Sequence, residues 1–224
     1  MSGMPTLTTD GPLWTLDLGG DENRFSPAWL DGAEDLLDQV AASTEPVALV
    51  TMGSDKFYSN GLDLEWVMAN PADFLTYAGR VQAMLATILT LPVPTIAAVN
   101  GHAFGAGAML ALAHDFRVMR PDRGFFCLPE ADIRIPFTDG MSALIQAKLT
   151  PQAAVASMTT GHRFGGEEAA AYGIVDAVAP LESLADAAAA RVRGLAGKDR
   201  TTLGTIKSRM YAGVVAALLA PPRS

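Results

Sequence analysis

Patterns typical of buried strands alternate with amphipathic helical patterns through the first half of the chain. Apolar runs rich in β-branched residues and bounded by turn residues predict strands at about 13–18, 46–52, 95–99 and 116–119. Helices are predicted between them, one beginning at Ser26-Pro27 and one spanning about 73–89. Such an alternation is typical of βαβ units, so we expect an α/β protein with a largely parallel sheet covered by helices.

The second half of the sequence has a different pattern. From Ser142 onward it is nearly all helical and rich in Ala, with breaks at Pro and Gly residues. We therefore divide the chain into an α/β core over residues 1–140 and a helical region over residues 141–224. The Ala-rich stretch 184–196 ends in basic residues followed by Gly, which favours an ordinary helix.

Composition excludes several classes of protein. With 224 residues, 50% of them hydrophobic, the chain is long enough to bury a core, which excludes disordered and fibrous classes. A net charge of -8 with scattered Lys and Arg argues against a nucleic-acid-binding surface. Cys127 is the only cysteine, and the three His are scattered, so neither an internal disulfide nor a metal site is indicated. No leader pattern and no apolar run of membrane length is present, so we expect a cytoplasmic protein without a membrane partner.

The segment NGHAFGAGAMLALAHD, residues 100–115, has small residues where a predicted strand passes into a helix. Gly105-Ala106-Gly107 opens that helix, whose first N–H groups have no partner within it and carry partial positive charge. Small residues here favour either close packing of helix on sheet or a backbone that a ligand can approach. A dinucleotide fingerprint is disfavoured, because the third glycine and the acidic ribose partner are missing.

A second loop of this kind, GSDKFYSNGLD over residues 53–63, also follows a predicted strand, and by itself it is an ordinary turn with Asp63 as a helix cap. Together, KFYSNGLD, TIAAVNGHAFGAG and FFCLPEADIRIP, in this order within about residues 10–180, resemble the crotonase superfamily, also called the enoyl-CoA hydratase/isomerase family. The resemblance implies the crotonase (ClpP-like) fold, in which repeated ββα units form a spiral core, followed by a helical C-terminal trimerisation region.

The resemblance also implies an oxyanion hole made of two backbone N–H groups. Carried over by motif, they belong to Leu62, just after Gly61, and to Ala106, which stands where the family usually has Gly. Removing a proton beside a thioester carbonyl places negative charge on its oxygen, and one such donor stabilises that charge by about 3–4 kcal/mol. A bare backbone lets the thioester oxygen approach these donors.

Hydratases of this family use two glutamates, and the sequence keeps one of them. Met109 stands at the first position and Glu130 at the second. One acid-base group and an oxyanion hole predict a proton shuttle between C2 and C4 of a 3-enoyl thioester, as in the plant-type monofunctional 3,2-enoyl-CoA isomerases. We expect apolar surroundings to raise the pKa of Glu130. The alternatives are a surface carboxylate at Glu130, or a hydratase whose second acid is Asp132 or Asp139.

Further residues are expected to hold an acyl-CoA substrate, with no cofactor besides the CoA that is part of it. The cations considered for the CoA phosphates are Arg24 and Lys56, each of which is otherwise a solvated charge, and with less support Lys207. The other predicted contacts are Ser59, Gly61, Trp66, Gly105, Met109 and Phe137. His102 and His114 are interpreted as structural. The resemblance implies homotrimers or hexamers, and a hydratase, a thioesterase or a CoA-binding scaffold without turnover remains the alternative function.

Overall fold

The fold is built from pairs of strands, each pair followed by a helix. The computed structural model describes residues 3–221. Its strands are β1 (Thr6–Asp10), β2 (Leu13–Asp17), β3 (Ala48–Met52), β4 (Phe57–Ser59), β5 (Thr95–Val99), β6 (His102–Phe104), β7 (Phe116–Met119), β8 (Phe126–Cys127) and β9 (Ala177–Val178). Its helices are α1 (Pro27–Ala42), α2 (Leu64–Ala69), α3 (Phe74–Thr90), α4 (Ala106–Ala113), α5 (Glu130–Ile133), α6 (Asp139–Lys148), α7 (Pro151–Thr160), α8 (Gly166–Ala171), α9 (Leu181–Arg193), α10 (Arg200–Met210) and α11 (Ala212–Leu219).

Two sheets stack these repeats into a spiral. In the described part of the chain the larger sheet has the order β1-β2-β3-β5-β7-β9 and is parallel except for the β1-β2 hairpin. The smaller sheet has the order β4-β6-β8 and is parallel. The first ββα unit gives both β1 and β2 to the larger sheet, and the next three give one strand to the larger sheet and one to the smaller, as β3-β4, β5-β6 and β7-β8. This is the spiral of ββα units that the resemblance implies.

The central strands β3 and β5 of the larger sheet are buried along nearly their whole length, which fits their largely apolar sequences, whereas the edge strand β1 is mostly exposed. Ile96 and Ala98 of β5 pack in one cluster with α9, whereas Val99 belongs to the cluster on the opposite face. Helix α9 presents Ala188 and Val192, four residues apart, to that sheet. The Ala-rich segment is therefore a packed helix, as the sequence predicts.

Two helices that the sequence predicts form with nearly the expected bounds. The Ser26 hydroxyl accepts a hydrogen bond from the Trp29 N–H at 3.2 Å, and Pro27 occupies the first turn of α1. Helix α3 covers Phe74–Thr90, within one residue of the prediction at each end.

The C-terminal region shares the core of the α/β part. Strand β9 extends the larger sheet beside β7, and α11 packs against α3 and α6. The division near residue 140 thus marks a change in secondary structure, and the description of two separate regions stays a prediction. Among residues 3–221, no helix has the length and apolar character needed to cross a membrane, and no group of three or more His, Cys, Asp and Glu side chains is placed to hold a metal ion.

Candidate active site

The two glycine-bearing loops meet at the ends of β4 and β6. These strands pair in parallel, so the segments that follow them leave the smaller sheet side by side. A Cβ atom on Gly61 would lie 2.8 Å from the backbone nitrogen of Ala106, and one on Gly107 would lie 2.2 Å from the Ser59 carbonyl oxygen. Gly61 also has φ +74, a conformation that favours glycine. The small residues are therefore required by the approach of one loop to the other.

Two backbone donors stand free where the loops meet. Leu62 follows Gly61, and Ala106 is the first residue of α4, where N–H groups have no partner within the helix. The hydrogen bonds found among residues 3–221 include no acceptor for either N–H. Both residues line a cavity of about 300 Å³. The arrangement can accept an oxygen that gains negative charge.

Glu130 is the carboxyl group at this cavity. It begins α5 and is only 8% exposed, which rules out the alternative of a surface carboxylate. Its Oε1 lies 3.3 Å from the position that a Cβ on Gly105 would take, and its Oε2 has no hydrogen-bond partner within the described residues. Burial raises the pKa of Glu130 from 4.5 to about 7, against the smaller lowering effect of a backbone hydrogen bond. The expected rise is present, and the group can take up and release a proton near neutral pH.

The cavity gathers six of the residues predicted from sequence: Arg24, Leu62, Gly105, Ala106, Met109 and Glu130. Met109 is 1% exposed and forms part of an apolar wall that suits a hydrocarbon chain. The other apolar side chains of that wall are Leu64, Phe74, Ala78, Ile133, Ile135 and Met141.

Other predicted contacts lie outside the cavity. The Ser59 hydroxyl is fully buried, donates to the Asn23 carbonyl at 2.8 Å and accepts from the Gly61 N–H at 3.1 Å, so it holds the loop in shape. Trp66 packs against Tyr77 at 5.1 Å between ring centroids and does not line the cavity. Their expected roles as direct substrate contacts are therefore corrected to support of the loop that carries Leu62.

Phe137 and the two lysines are also placed away from the cavity. Phe137 lines a neighbouring hollow that shares Glu130 with the cavity. Lys56 is exposed, with its Nζ 5.0 Å from the centre of the Phe57 ring. Lys207 is 4% exposed and donates to Asp115 at 2.6 Å and to the Val93 carbonyl at 2.7 Å. The suggestion that Lys207 approaches a nucleotide is wrong in this chain, since its charge is already buried and paired.

The two cations at the cavity differ in their partners. Arg24, which the sequence predicts, pairs with Glu22 at 2.5 Å and with Glu65 at 3.4 Å. Arg163, which the sequence analysis missed, lines the cavity and lies 5.7 Å from the centre of the Phe104 ring. Nothing in the motifs singled out Arg163, because it reaches the site from the turn between α7 and α8.

The remaining polar candidates do not face the cavity. Asp132 lies at Gly161, where a Cβ would be 2.4 Å from its Oδ2. Asp132 belongs to α5 (Glu130–Ile133), is exposed and does not line the cavity. Asp139 is exposed at the start of α6. His114 is fully buried, hydrogen bonded to Thr51 and to the Leu110 carbonyl, and burial lowers its pKa to about 4, so it is a neutral structural residue.

Comparison with known proteins agrees with this geometry. The sequence profile of the family described as enoyl-CoA hydratase/isomerase matches residues 15–220. Enoyl-CoA delta isomerase 3 of Arabidopsis thaliana is 38% identical over 219 residues, covering 93% of this chain and 92% of the relative. The peroxisomal enoyl-CoA delta isomerase 2 of the same plant is 43% identical over 187 residues, covering 79% and 77%.

A solved structure shows the same fold at low sequence identity. Human mitochondrial delta3-delta2-enoyl-CoA isomerase superposes with a TM-score of 0.90 at 20% identity, over 96% of this chain and 86% of that chain. With the family profile and the plant relatives, the spiral core and the two meeting loops lead to one conclusion. The chain has the crotonase fold and belongs to the enoyl-CoA hydratase/isomerase family.

Proposed function

We propose that this protein is a 3,2-enoyl-CoA isomerase, which moves a double bond from position 3 to position 2 of an enoyl-CoA. The observation that carries the proposal is a single buried carboxyl group, Glu130, at a cavity that also holds the N–H groups of Leu62 and Ala106. The names of the two plant relatives support the same reaction.

The proposed reaction needs one base and one anion site. The thioester carbonyl oxygen accepts hydrogen bonds from Leu62 and Ala106, and ionised Glu130 removes a proton from C2. The electron pair of that C–H bond spreads over the dienolate, whose negative oxygen the two N–H groups stabilise. Glu130 then returns the proton to C4, and the double bond between C3 and C4 becomes one between C2 and C3. A positioned base of this kind contributes about 10²–10⁴-fold to a rate.

Substrate binding is proposed in two parts. The apolar wall that includes Met109 takes the acyl chain. Arg24 and Lys56 attract the phosphates of CoA, although the pairing of Arg24 with two carboxylates weakens its pull.

A hydratase is the second candidate, since carnitinyl-CoA dehydratase of Citrobacter koseri is 38% identical over 162 residues, 72% of this chain. Adding water calls for a second acid-base group. The apolar Met109 at the cavity cannot provide one, and Asp132 and Asp139 are exposed. The arrangement therefore favours the proton shuttle.

The test follows conversion of 3-hexenoyl-CoA to its conjugated isomer by thioester absorbance, for wild type, Glu130→Gln and the matched control Asp132→Asn. We expect turnover by wild type and the control, and a loss of about 10²–10⁴-fold in Glu130→Gln. Equal rates in wild type and Glu130→Gln would show that another group moves the proton. Binding of the substrate without turnover by wild type would favour a scaffold, and hydration of crotonyl-CoA that depends on Asp132 or Asp139 would favour the hydratase.

We also propose assembly into homotrimers or hexamers through the C-terminal helices. Large apolar side chains on α10 and α11 support this: Ile206, Met210 and Leu219 are 49%, 65% and 60% exposed. Light scattering should give three or six times the chain mass, and a monomer would contradict it. The cytoplasm remains the expected compartment, although two of the plant relatives are named as peroxisomal.

A further inference from the structure

The largely apolar wall of the reaction cavity is interrupted by a polar pair, Thr138 and Gln82. Thr138 immediately precedes α6 and lines the cavity together with Met141 of that helix and Ala78 of α3. Gln82 lies four residues after Ala78, so both side chains are on the same face of α3, and both are buried. The pair therefore lies where α3 and α6 enclose the acyl end of the cavity.

The hydrogen bonds of Thr138 determine which way the Gln82 amide is turned. The Thr138 hydroxyl oxygen accepts from the Met141 N–H at 3.1 Å, as the cap of α6, and the hydroxyl donates to Gln82 Oε1 at 2.7 Å. Turning the amide over would take away the acceptor of that hydroxyl hydrogen. The amide oxygen is thus held toward α6, and the two N–H groups of Nε2 are turned away from Thr138.

The Nε2 of Gln82 is a buried donor without an acceptor. The residue is 1% exposed, and no hydrogen-bond partner for Nε2 is found within residues 3–221. Buried polar groups are almost always hydrogen bonded, because an unpaired one destabilises the fold. A Met or Leu would fill the same position of α3 without that penalty. The amide therefore indicates a ligand that accepts its hydrogen bond.

A second cavity of about 200 Å³ lies behind the pair. Gln82 and Thr138 line it, together with Ala217 of α11. Thr138 also lines the reaction cavity, so the two cavities share this residue as a common wall. An acyl chain that continues beyond Thr138 reaches the space beside the Gln82 amide.

The residues around the second cavity select the kind of acceptor. Its lining includes Asp139 and, among the described residues, neither Lys nor Arg. A carboxylate on the ligand would face a like charge there without a cation to pair with. A hydroxyl or carbonyl oxygen accepts the same hydrogen bonds without bringing a charge. The space beside Gln82 therefore suits a neutral oxygen.

We propose that the Gln82 amide, held in place by Thr138, binds a hydroxyl or carbonyl oxygen on the acyl chain beyond the reacting carbons. The substrate class is then an oxygenated enoyl-CoA. This inference rests on the proposed function and deepens it. Gln82 is a residue that determines specificity, and Thr138 is a positioning residue that keeps the Nε2 hydrogens directed at the ligand.

The experiment measures binding by isothermal titration calorimetry, with saturated acyl-CoAs that cannot isomerise. Each unsubstituted chain is compared with its ω-hydroxy counterpart over a series of chain lengths. In short chains the hydroxyl meets the apolar wall and should weaken binding. At the length that brings it to Gln82, we expect the ratio of the two Kd values to shift about 2- to 10-fold in favour of the hydroxylated chain.

Gln82→Met removes the amide but keeps an unbranched side chain of similar size. We expect this variant to lose the shift at every chain length. The matched control Gln146→Met, at an exposed position of α6, should keep it. If Gln82 were only structural, its replacement would weaken both chains alike and leave the ratio of Kd values unchanged.

The proposal is overturned if wild type shows no such shift at any chain length, or if Gln82→Met retains it in full. The wild-type series alone can give the first result, so the proposal stays testable even if the variant does not fold. Turnover is measured separately. Wild type that binds 3-hexenoyl-CoA without isomerising it would contradict the proposed function, whereas a missing shift beside normal turnover would contradict only the role of Gln82.

Discussion

Replacing Glu130 by Gln should make the protein more stable at pH 8 while it removes the proposed base. Burial raises the pKa of Glu130 from 4.5 to about 7, so its ionisation is less favourable in the folded chain than in the unfolded chain. At 1.36 kcal/mol for each pKa unit, the difference amounts to about 3 kcal/mol. Between pH 4.5 and 7 the folded protein binds more protons at this group than the unfolded chain does, so stability falls as the pH rises.

Gln does not ionise, so the difference between Glu130→Gln and wild type reports the ionisation of Glu130 alone. Glu130→Gln and wild type should differ little in the free energy of unfolding near pH 4, and the variant should be more stable by about 3 kcal/mol at pH 8, or about 6–12 °C in Tm. Urea unfolding across this range measures it, because the other carboxyl groups titrate alike in both proteins. Glu45→Gln, at an exposed position, is the matched control. If the difference in the free energy of unfolding stays constant from pH 4 to pH 8, the inference that burial raises the pKa of Glu130 is refuted.

The surroundings of Glu130, Gly61 and Lys207 lead to three further predictions. Because Glu130 must be ionised to take a proton, kcat/KM for 3-hexenoyl-CoA should rise about tenfold per pH unit up to about pH 7 and then level off; a flat profile between pH 5 and 8 would contradict this. Gly61→Ala should lower kcat/KM by about 10² or more, since its Cβ would lie 2.8 Å from the Ala106 nitrogen, whereas Gly11→Ala, with φ +52 but open space around it, should retain activity. Lys207→Met should cost about 3–5 kcal/mol in urea unfolding by leaving Asp115 without its cation, and the added change Asp115→Asn should restore part of that loss.

Four strands of the larger sheet, β2, β3, β5 and β7, could be predicted from the sequence because each is a largely apolar run bounded by turn residues, whereas the exposed edge strand β1 was missed. β5 was predicted at its observed bounds, and α1 was placed by Ser26-Pro27 and its apolar stripe. The smaller sheet was missed, because strands of two or three residues such as β4 and β8 are too short to show a period. Their pairing depends on contacts between turns of the spiral that are distant in sequence.

The oxyanion-hole residues and Glu130 were predicted because short motifs specify their backbone and chemistry. Whether a side chain reaches the cavity could not be predicted in the same way. Arg163 enters from a turn far along the chain, and Trp66 packs against Tyr77 and does not line the cavity. Side-chain direction at these positions is set by tertiary contacts, which local patterns do not contain.

The parallel smaller sheet gives the protein a way to vary its chemistry piece by piece. Leu62, Ala106 and Glu130 follow β4, β6 and β8. Each reacting group therefore belongs to a different ββα unit of the spiral. Neighbouring strands lie about 4.8 Å apart, and this spacing sets the distance between successive ββα units, whichever side chains they carry. Replacing the Met109 thioether by a carboxylate would therefore change one reacting group. The hydrogen-bonded strands that align the other groups would stay in place. Relatives that catalyse other reactions can arise from the same fold by substitution within a single ββα unit.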